Sequence, residues 1–158
     1  MHVYRQFGTA AVRVRGESGD ILLEFVAARR ESYSLNSRKP VVEDGTLEDD
    51  LARRDFTVNA LAAQVSGSGA GELIDRFSGL HDLDHGVLRT PTEPARTFSN
   101  DPLRIVRAAR FAAQLGFEVA PDATAAMVLE GHRLSIVSPE RIAEELQKMM
   151  LTKRPSVG

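Results

Sequence analysis

The chain has no cysteine, which excludes disulfides and thiolate metal sites and is compatible with the cytosol without arguing for it. It has no apolar run approaching the roughly 20 residues of a membrane span, and its first residues do not read as a signal peptide. It has no excess of charge: 20 Lys and Arg stand against 22 Asp and Glu, a formal net charge of −2. Whole-protein charge therefore does not announce nucleic acid. Any affinity for phosphate must come from local clusters such as Arg104, Arg107 and Arg110. Internal repeats and low-complexity segments are absent too. What is present suits one domain or one and a half: 158 residues, 42% hydrophobic and 27% charged, enough to bury a real core.

The first third reads as strands. Thr9 to Val14 and Ile21 to Ala28 are rich in Val, Ile, Leu and Phe, and the turn cluster Arg15 to Asp20 between them predicts a β-hairpin. On such a strand Glu24 shares a face with Leu22 and Val26, which suits either an edge carboxylate or an oxygen ligand for a hard cation. Arg29 to Asp49 is polar, carries Pro40 and Gly45, and reads as an irregular loop whose Arg30, Arg38 and Lys39 solvate the surface or reach a phosphate. Glu48, Asp49 and Asp50 then open a helix with an acidic first turn, as the helix dipole prefers. Strands are expected at Leu61 to Val65 and Glu72 to Asp75, around a flexible Ser66 to Gly71. A helical turn over Ser78 to Gly86 and a strand at Val87 to Thr90 follow.

Pro91, Pro94 and Thr97 mark a connector, and the boundary between two regions is placed between residues 97 and 98. Beyond it the chain reads helical: Asp101 to Leu115 with Gly116 as its stop, Asp122 to Glu130, and Pro139 to Leu151. His2, His81, His85 and His132 show no ligand spacing and read as solvated, as does the Asp82-Leu83-Asp84 triplet.

Two stretches carry chemistry. In Arg53-Arg54-Asp55-Phe56-Thr57-Val58-Asn59-Ala60, helical geometry would put Asp55 and Asn59 on one face at i and i+4, beside Phe56 and Ala60. In Asn100-Asp101-Pro102-Leu103-Arg104-Ile105-Val106-Arg107-Ala108-Ala109-Arg110-Phe111, Asp101, Arg104 and Arg107 recur every third residue. That pattern equally describes a capped helix start with an Asp101 to Arg104 surface pair.

These stretches belong to a longer series. Phe7-Gly8-Thr9, Glu24 to Tyr33, Leu47 to Ala60, Leu73-Ile74-Asp75 with Gly79 to Leu83, Asp101 to Phe111 and Ser138 to Leu146 occur in an order that resembles the class II tRNA nucleotidyltransferases. These are the CCA-adding enzymes, with the bacterial poly(A) polymerases of the same family. The resemblance implies an α+β fold. Residues 1–97 would be part of a polymerase-β-like nucleotidyltransferase head, a sheet with helices, and residues 98–158 the start of an all-α neck.

The resemblance also implies roles. Asp101 and Arg104 match the Asp and Arg of a base-selecting Glu-Asp-x-x-Arg motif, with Asn100 where that motif has Glu. An acceptor beside a donor can read the amino group and ring nitrogen shared by cytosine and adenine, and reject the carbonyl of uracil and guanine. Asp55 and Asn59 would select ribose, with Arg53 and Arg54 as phosphate contacts. Arg107 and Arg110 are candidates for the triphosphate or for the rim of the core. Asp75 matches a hinge motif, with Arg76 where many relatives have Pro.

Mg²⁺ is the implied cofactor, with Glu24 as a candidate ligand. CTP and ATP are the implied substrates, the tRNA 3′ end the implied partner, and no membrane is involved. The family's Asp-x-Asp pair and Gly-Gly phosphate motif would precede residue 1, and more helices would follow residue 158. The chain is accordingly expected to be a fragment, inactive alone. Its alternatives are a poly(A), CC-adding or A-adding enzyme, or a non-catalytic nucleotide- or RNA-binding piece; oligomeric state is not readable.

Overall fold

The computed structural model describes residues 2–4, 8–16, 19–32 and 41–158. Strands β1 (His2–Tyr4), β2 (Thr9–Gly16) and β3 (Gly19–Val26) form an antiparallel sheet in that order. The expected hairpin is present, with Thr9 opposite Val26 and Gly16 opposite Gly19. Edge strand β3 leaves Leu22, Glu24 and Val26 exposed together.

The loop expected over 29–49 is instead partly a ladder: β4 (Arg29–Ser32) pairs antiparallel with β5 (Val41–Asp44). Its side chains lack the apolar alternation that marks a half-buried strand, but the ladder is built from backbone groups and forms without it. The side chains of Arg30, Arg38 and Lys39 lie outside the described residues. Helix α1 (Leu47–Ala52) follows with a capping box. Its Asp49 amide donates to Thr46 Oγ1 at 3.1 Å while Asp49 Oδ2 accepts from the Thr46 amide at 2.8 Å.

The stretch Arg53 to Ala60 is not one helix. Helix α1 stops at Arg53, Phe56 is extended at φ −131° and ψ 151°, and only Thr57–Asn59 closes a 3₁₀ turn. The reason is burial. Extending at Phe56 drives its ring into the core, fully buried and edge-on to Phe111 with centroids 5.8 Å apart. The amide of Thr57 then donates to the Arg89 carbonyl at 2.8 Å rather than to its own helix.

Strands β6 (Leu61–Ala63) and β7 (Leu73–Asp75) form within the stretches where strands were expected, shorter than expected, and pair antiparallel as a two-stranded sheet. The Asp75 carboxylate then accepts the amides of Phe77 at 3.3 Å, Gly79 at 2.8 Å and Leu80 at 3.0 Å, and so starts α2 (Gly79–His85). Gly86 ends that helix at φ 66°, a left-handed conformation that favours glycine. Asp82 is buried, not solvated. It accepts from Thr57 Oγ1 at 2.7 Å and Arg89 Nε at 3.4 Å, which ties α2 to the 3₁₀ turn. Asp84, two residues on, points to solvent, because positions i and i+2 of a helix lie on different faces.

Strand β8 (Val87–Leu88) pairs in parallel with β9 (Glu118–Val119). Two residues carry no periodicity, so β9 had no signature in the region expected to be all helical. Helix α3 (Pro94–Asn100) replaces most of the expected connector. Pro94 occupies its first turn, where a missing N–H costs nothing, and Glu93 accepts the amides of Ala95 and Arg96. The boundary drawn at 97/98 falls inside this helix. Then α4 (Leu103–Leu115), stopped by left-handed Gly116, α5 (Pro121–Glu130) and α6 (Pro139–Met150) follow closely as expected. One core cluster gathers Phe56, Leu88, Ala108 and Ala112, and a second gathers Phe98, Ala120, Ala123 and Ala126, with Val119 and Met127 packed against both.

Gly79 is the closest approach in this frame, since a Cβ there would overlap the Thr57 carbonyl. Gly79→Ala should lower unfolding free energy by about 1–3 kcal/mol through overpacking. Urea denaturation checks this, and an unchanged midpoint would show that α2 does not press on the 57–59 turn.

Candidate functional site

A cavity of about 680 Å³ opens between the 53–59 segment, the start of α4 and the inner face of α6. Asp50, in the last turn of α1, accepts from Arg53 Nε at 3.1 Å and from its Nη2, and from Arg54 Nη2 at 3.1 Å. Arg54 Nη1 also donates to the Asn59 carbonyl at 3.2 Å. Both arginines therefore line the cavity from a braced position.

Asp55 is buried, and its carboxylate is fully engaged. Oδ1 accepts from the Phe56 amide at 2.9 Å and Asn59 Nδ2 at 3.0 Å, and Oδ2 accepts from Arg107 Nε at 2.8 Å with Nη2 2.6 Å away. Asp55 and Asn59 meet as expected, though across a 3₁₀ turn rather than along an α-helix. A hydroxyl donating to Asp55 from the cavity would share Oδ2 with Arg107, because about four donors saturate a carboxylate.

On the opposite wall Asp101 caps the end of α3 and precedes α4. Its Oδ1 accepts the Leu103 amide at 3.3 Å, and its Oδ2 lies 3.6 Å from Arg141. Arg104 donates through Nη1 to the Thr97 carbonyl at 3.3 Å and through Nη2 to the Arg53 carbonyl at 2.5 Å. Asp101 and Arg104 thus face the cavity as separate acceptor and donor, each held by other partners.

The arginines after them diverge. Arg107 lines the cavity with Asp55 on one side and Glu145 Oε1 3.8 Å away on the other. Arg110 is buried behind it. It donates to Glu145 Oε2 at 2.5 Å and Gln114 Oε1 at 2.7 Å and lies over the Phe111 ring. Glu24 is exposed on β3 and is not part of this cavity. Among the described residues no group of three Asp, Glu or His side chains is placed to hold a metal ion. His81 and His85 stack on each other at the surface.

Asp50, Arg141, Glu144 and Glu145 were not assigned from sequence. The last three stand at i, i+3 and i+4, so one face of α6 delivers all of them to the cavity. That spacing is visible in the run Ser138 to Leu146, but the helix it packs against is not. Burial works against ionisation of Glu145, and the Arg110 hydrogen bond and charge, with Lys148 and Arg107, outweigh it and hold its pKa below the usual range. Asp50 is lowered in the same way, burial being overcome by Arg53 and Arg54. Asp75 is lowered too, with backbone amides outweighing burial.

The chain is similar to known proteins. Residues 1–89 match the family described as "Poly A polymerase head domain", and residues 116–158 match "Probable RNA and SrmB- binding site of polymerase A". The chain is 44% identical over 119 residues to an A-adding tRNA nucleotidyltransferase of Aquifex aeolicus, covering 75% of this chain and 14% of that protein. It is 38% identical over 153 residues to a CCA-adding enzyme of Leuconostoc mesenteroides, covering 96% of this chain and 36% of that protein. The chain therefore spans well under half of these curated relatives.

The solved CCA-adding enzyme of Bacillus stearothermophilus in complex with CTP superposes with a TM-score of 0.78 at 33% identity, over 96% of this chain and 34% of that one. A tRNA nucleotidyltransferase complexed with a primer tRNA and an incoming ATP analog superposes with a TM-score of 0.80 at 32% identity, over 99% and 42%. These likenesses bear out the expected fold class. Among the described residues no helix is long and apolar enough to cross a membrane.

The three lowered carboxyls set the acid limit. A group whose folded pKa is depressed contributes stability above its unfolded pKa, and that contribution is lost as pH falls through the folded value. Melting temperature should therefore hold near neutral pH and fall from about pH 4 downward. Glu145→Gln, which leaves Arg110 buried without its anion, should cost roughly 3 kcal/mol at pH 7 and flatten part of that acid slope. Thermal melts from pH 7 to pH 3 test both; parallel acid slopes for the two proteins would remove Glu145 from the account.

Proposed function

The chain belongs to the poly(A) polymerase head-domain family, and from that premise we propose that it is the ribose- and base-selecting part of a template-independent RNA nucleotidyltransferase. The reaction is addition of CMP and AMP, taken from CTP and ATP, to the 3′ end of tRNA in the cytoplasm. One observation carries the reading: Asp101 and Arg104 share a cavity with Asp55, Asn59, Arg53 and Arg54. A nucleotide needs three kinds of partner at once, for base, sugar and phosphate, and all three line this one space.

In this reading the head is 1–97 and the neck 98–158, and the nucleotide is read across their junction. Asp101 accepts the exocyclic amino group of cytosine or adenine, and Arg104 donates to the adjacent ring nitrogen. Uracil and guanine present a carbonyl to Asp101, which leaves two acceptors facing each other without a proton. Asn59 and the Asp55–Arg107 pair meet the ribose hydroxyl, and Arg53 and Arg54 meet phosphate oxygens. Arg107 acts by aiming Asp55, and Arg110 by anchoring α4 to α6.

Five arginines and four carboxylates line the cavity, so its walls come close to charge balance and neutralise a triphosphate only in part. The magnesium ion that the family implies would supply the remaining positive charge when bound. Glu24 by itself does not make a site for it, and selection of base by Asp101 and Arg104 and of sugar by Asp55 and Asn59 does not run through it. A second reading, addition of A alone, draws on the A-adding relative; product analysis on tRNA lacking its 3′ end separates the two.

Calorimetric titration of CTP, ATP, GTP and UTP into the chain tests the base assignment. CTP and ATP should bind about tenfold more tightly than the others, and Asp101→Ala should abolish that preference. Equal binding of all four by the unaltered chain would sink it. For the sugar, Asp55→Asn should cut the preference for CTP over dCTP by about fivefold; an unchanged ratio would remove Asp55 from ribose selection.

A further inference from the structure

Asp50 stands one layer behind the cavity, on the short helix α1, and its side chain is 11% exposed. It is the common acceptor of Arg53 and Arg54, with one carboxylate oxygen for each. Two guanidinium groups on adjacent residues repel each other, and left alone they would splay into solvent. A buried carboxylate between them cancels that repulsion and points both forks the same way. Arg54 spends two of its N–H donors on Asp50 and the Asn59 carbonyl, which leaves three of a guanidinium's five for an incoming anion. It is also nearly half exposed on the cavity side. A carboxylate that served only to close α1 would need one partner within the helix, whereas this one reaches past the helix end to both cavity arginines.

We propose that Asp50 is the positioning residue for triphosphate recognition, presetting Arg53 and Arg54 so that they meet phosphate oxygens without reordering. The inference rests on the proposed role of these arginines as phosphate contacts. It separates Asp50 from the base and sugar walls, whose side chains make no direct hydrogen bond to its carboxylate. Its removal should therefore weaken the phosphate-bearing ligand and spare the nucleoside.

The test compares CTP with cytidine, each titrated by NMR shift into the full chain, into Asp50→Asn and into Arg54→Ala, with a thermal melt of each protein. Asp50→Asn keeps the side-chain shape and one acceptor but loses the charge. Its expected result is about a tenfold loss of CTP affinity with cytidine affinity changed less than twofold and a cooperative melt retained. Equal losses for CTP and cytidine, or a lost melt, would show a purely structural residue and overturn the proposal. A selective CTP loss in Arg54→Ala with none in Asp50→Asn would overturn it while leaving the phosphate reading intact. No selective loss in Arg54→Ala, or no binding by the unaltered chain, would overturn the phosphate reading and the proposal with it.

Discussion

Arg107 reaches Asp55 across 52 positions of sequence with two guanidinium nitrogens, and the cavity keeps its shape because that pair joins the 53–59 segment to α4. Withdrawing two charges from water costs several kcal/mol for each ion, so such a pair persists only where the remaining donors and acceptors are met. Here they are. Asp55 takes the Phe56 amide and Asn59 on its other oxygen, and Glu145 stands beyond Arg107 and binds Arg110. The same segment seats Phe56 against Phe111 in the core. The 53–59 segment thus belongs to the polar network and the apolar core at once.

On the proposed reading, that coupling separates two tasks within one space. Reading a base and a sugar calls for directed, pre-aimed hydrogen bonds, and Asp101, Arg104, Asp55 and Asn59 are each restrained by contacts inside the protein. Holding a triphosphate calls for net positive charge, and the walls supply little of it beyond what their own carboxylates cancel. On the proposed reading, the cavity is accordingly better suited to choosing a nucleotide than to neutralising one.

Elements whose signal lies in their own residues were legible from the chain. The β2–β3 hairpin followed from two apolar runs around a turn, and α2 and α4 from their periodicity and the glycines that stop them at positive φ. Elements that depend on a distant partner were not. The β4–β5 ladder lacks apolar alternation, β9 is two residues long, and α3 hides behind a proline that ordinarily signals a break. The helical geometry considered for Arg53 to Ala60 gives way to an extended Phe56, whose ring is buried, and a 3₁₀ turn.

The site divides in the same way. Asp55, Asn59, Asp101 and Arg104 were singled out by the motifs of the family resemblance, since their spacing equally describes capped helix starts, and the structure lines one cavity with all four. Only the tertiary structure decided that Arg107 turns to Asp55 while Arg110 turns to the buried Glu145, although both are arginines on one helix three residues apart. It alone brought α6 into the cavity, whereas Asp50 meets Arg53 and Arg54 at i+3 and i+4, a spacing already present in the sequence. Residue type sets what a side chain can donate or accept; which partner it meets depends on how helices distant in sequence pack, and short-range spacing carries no record of that.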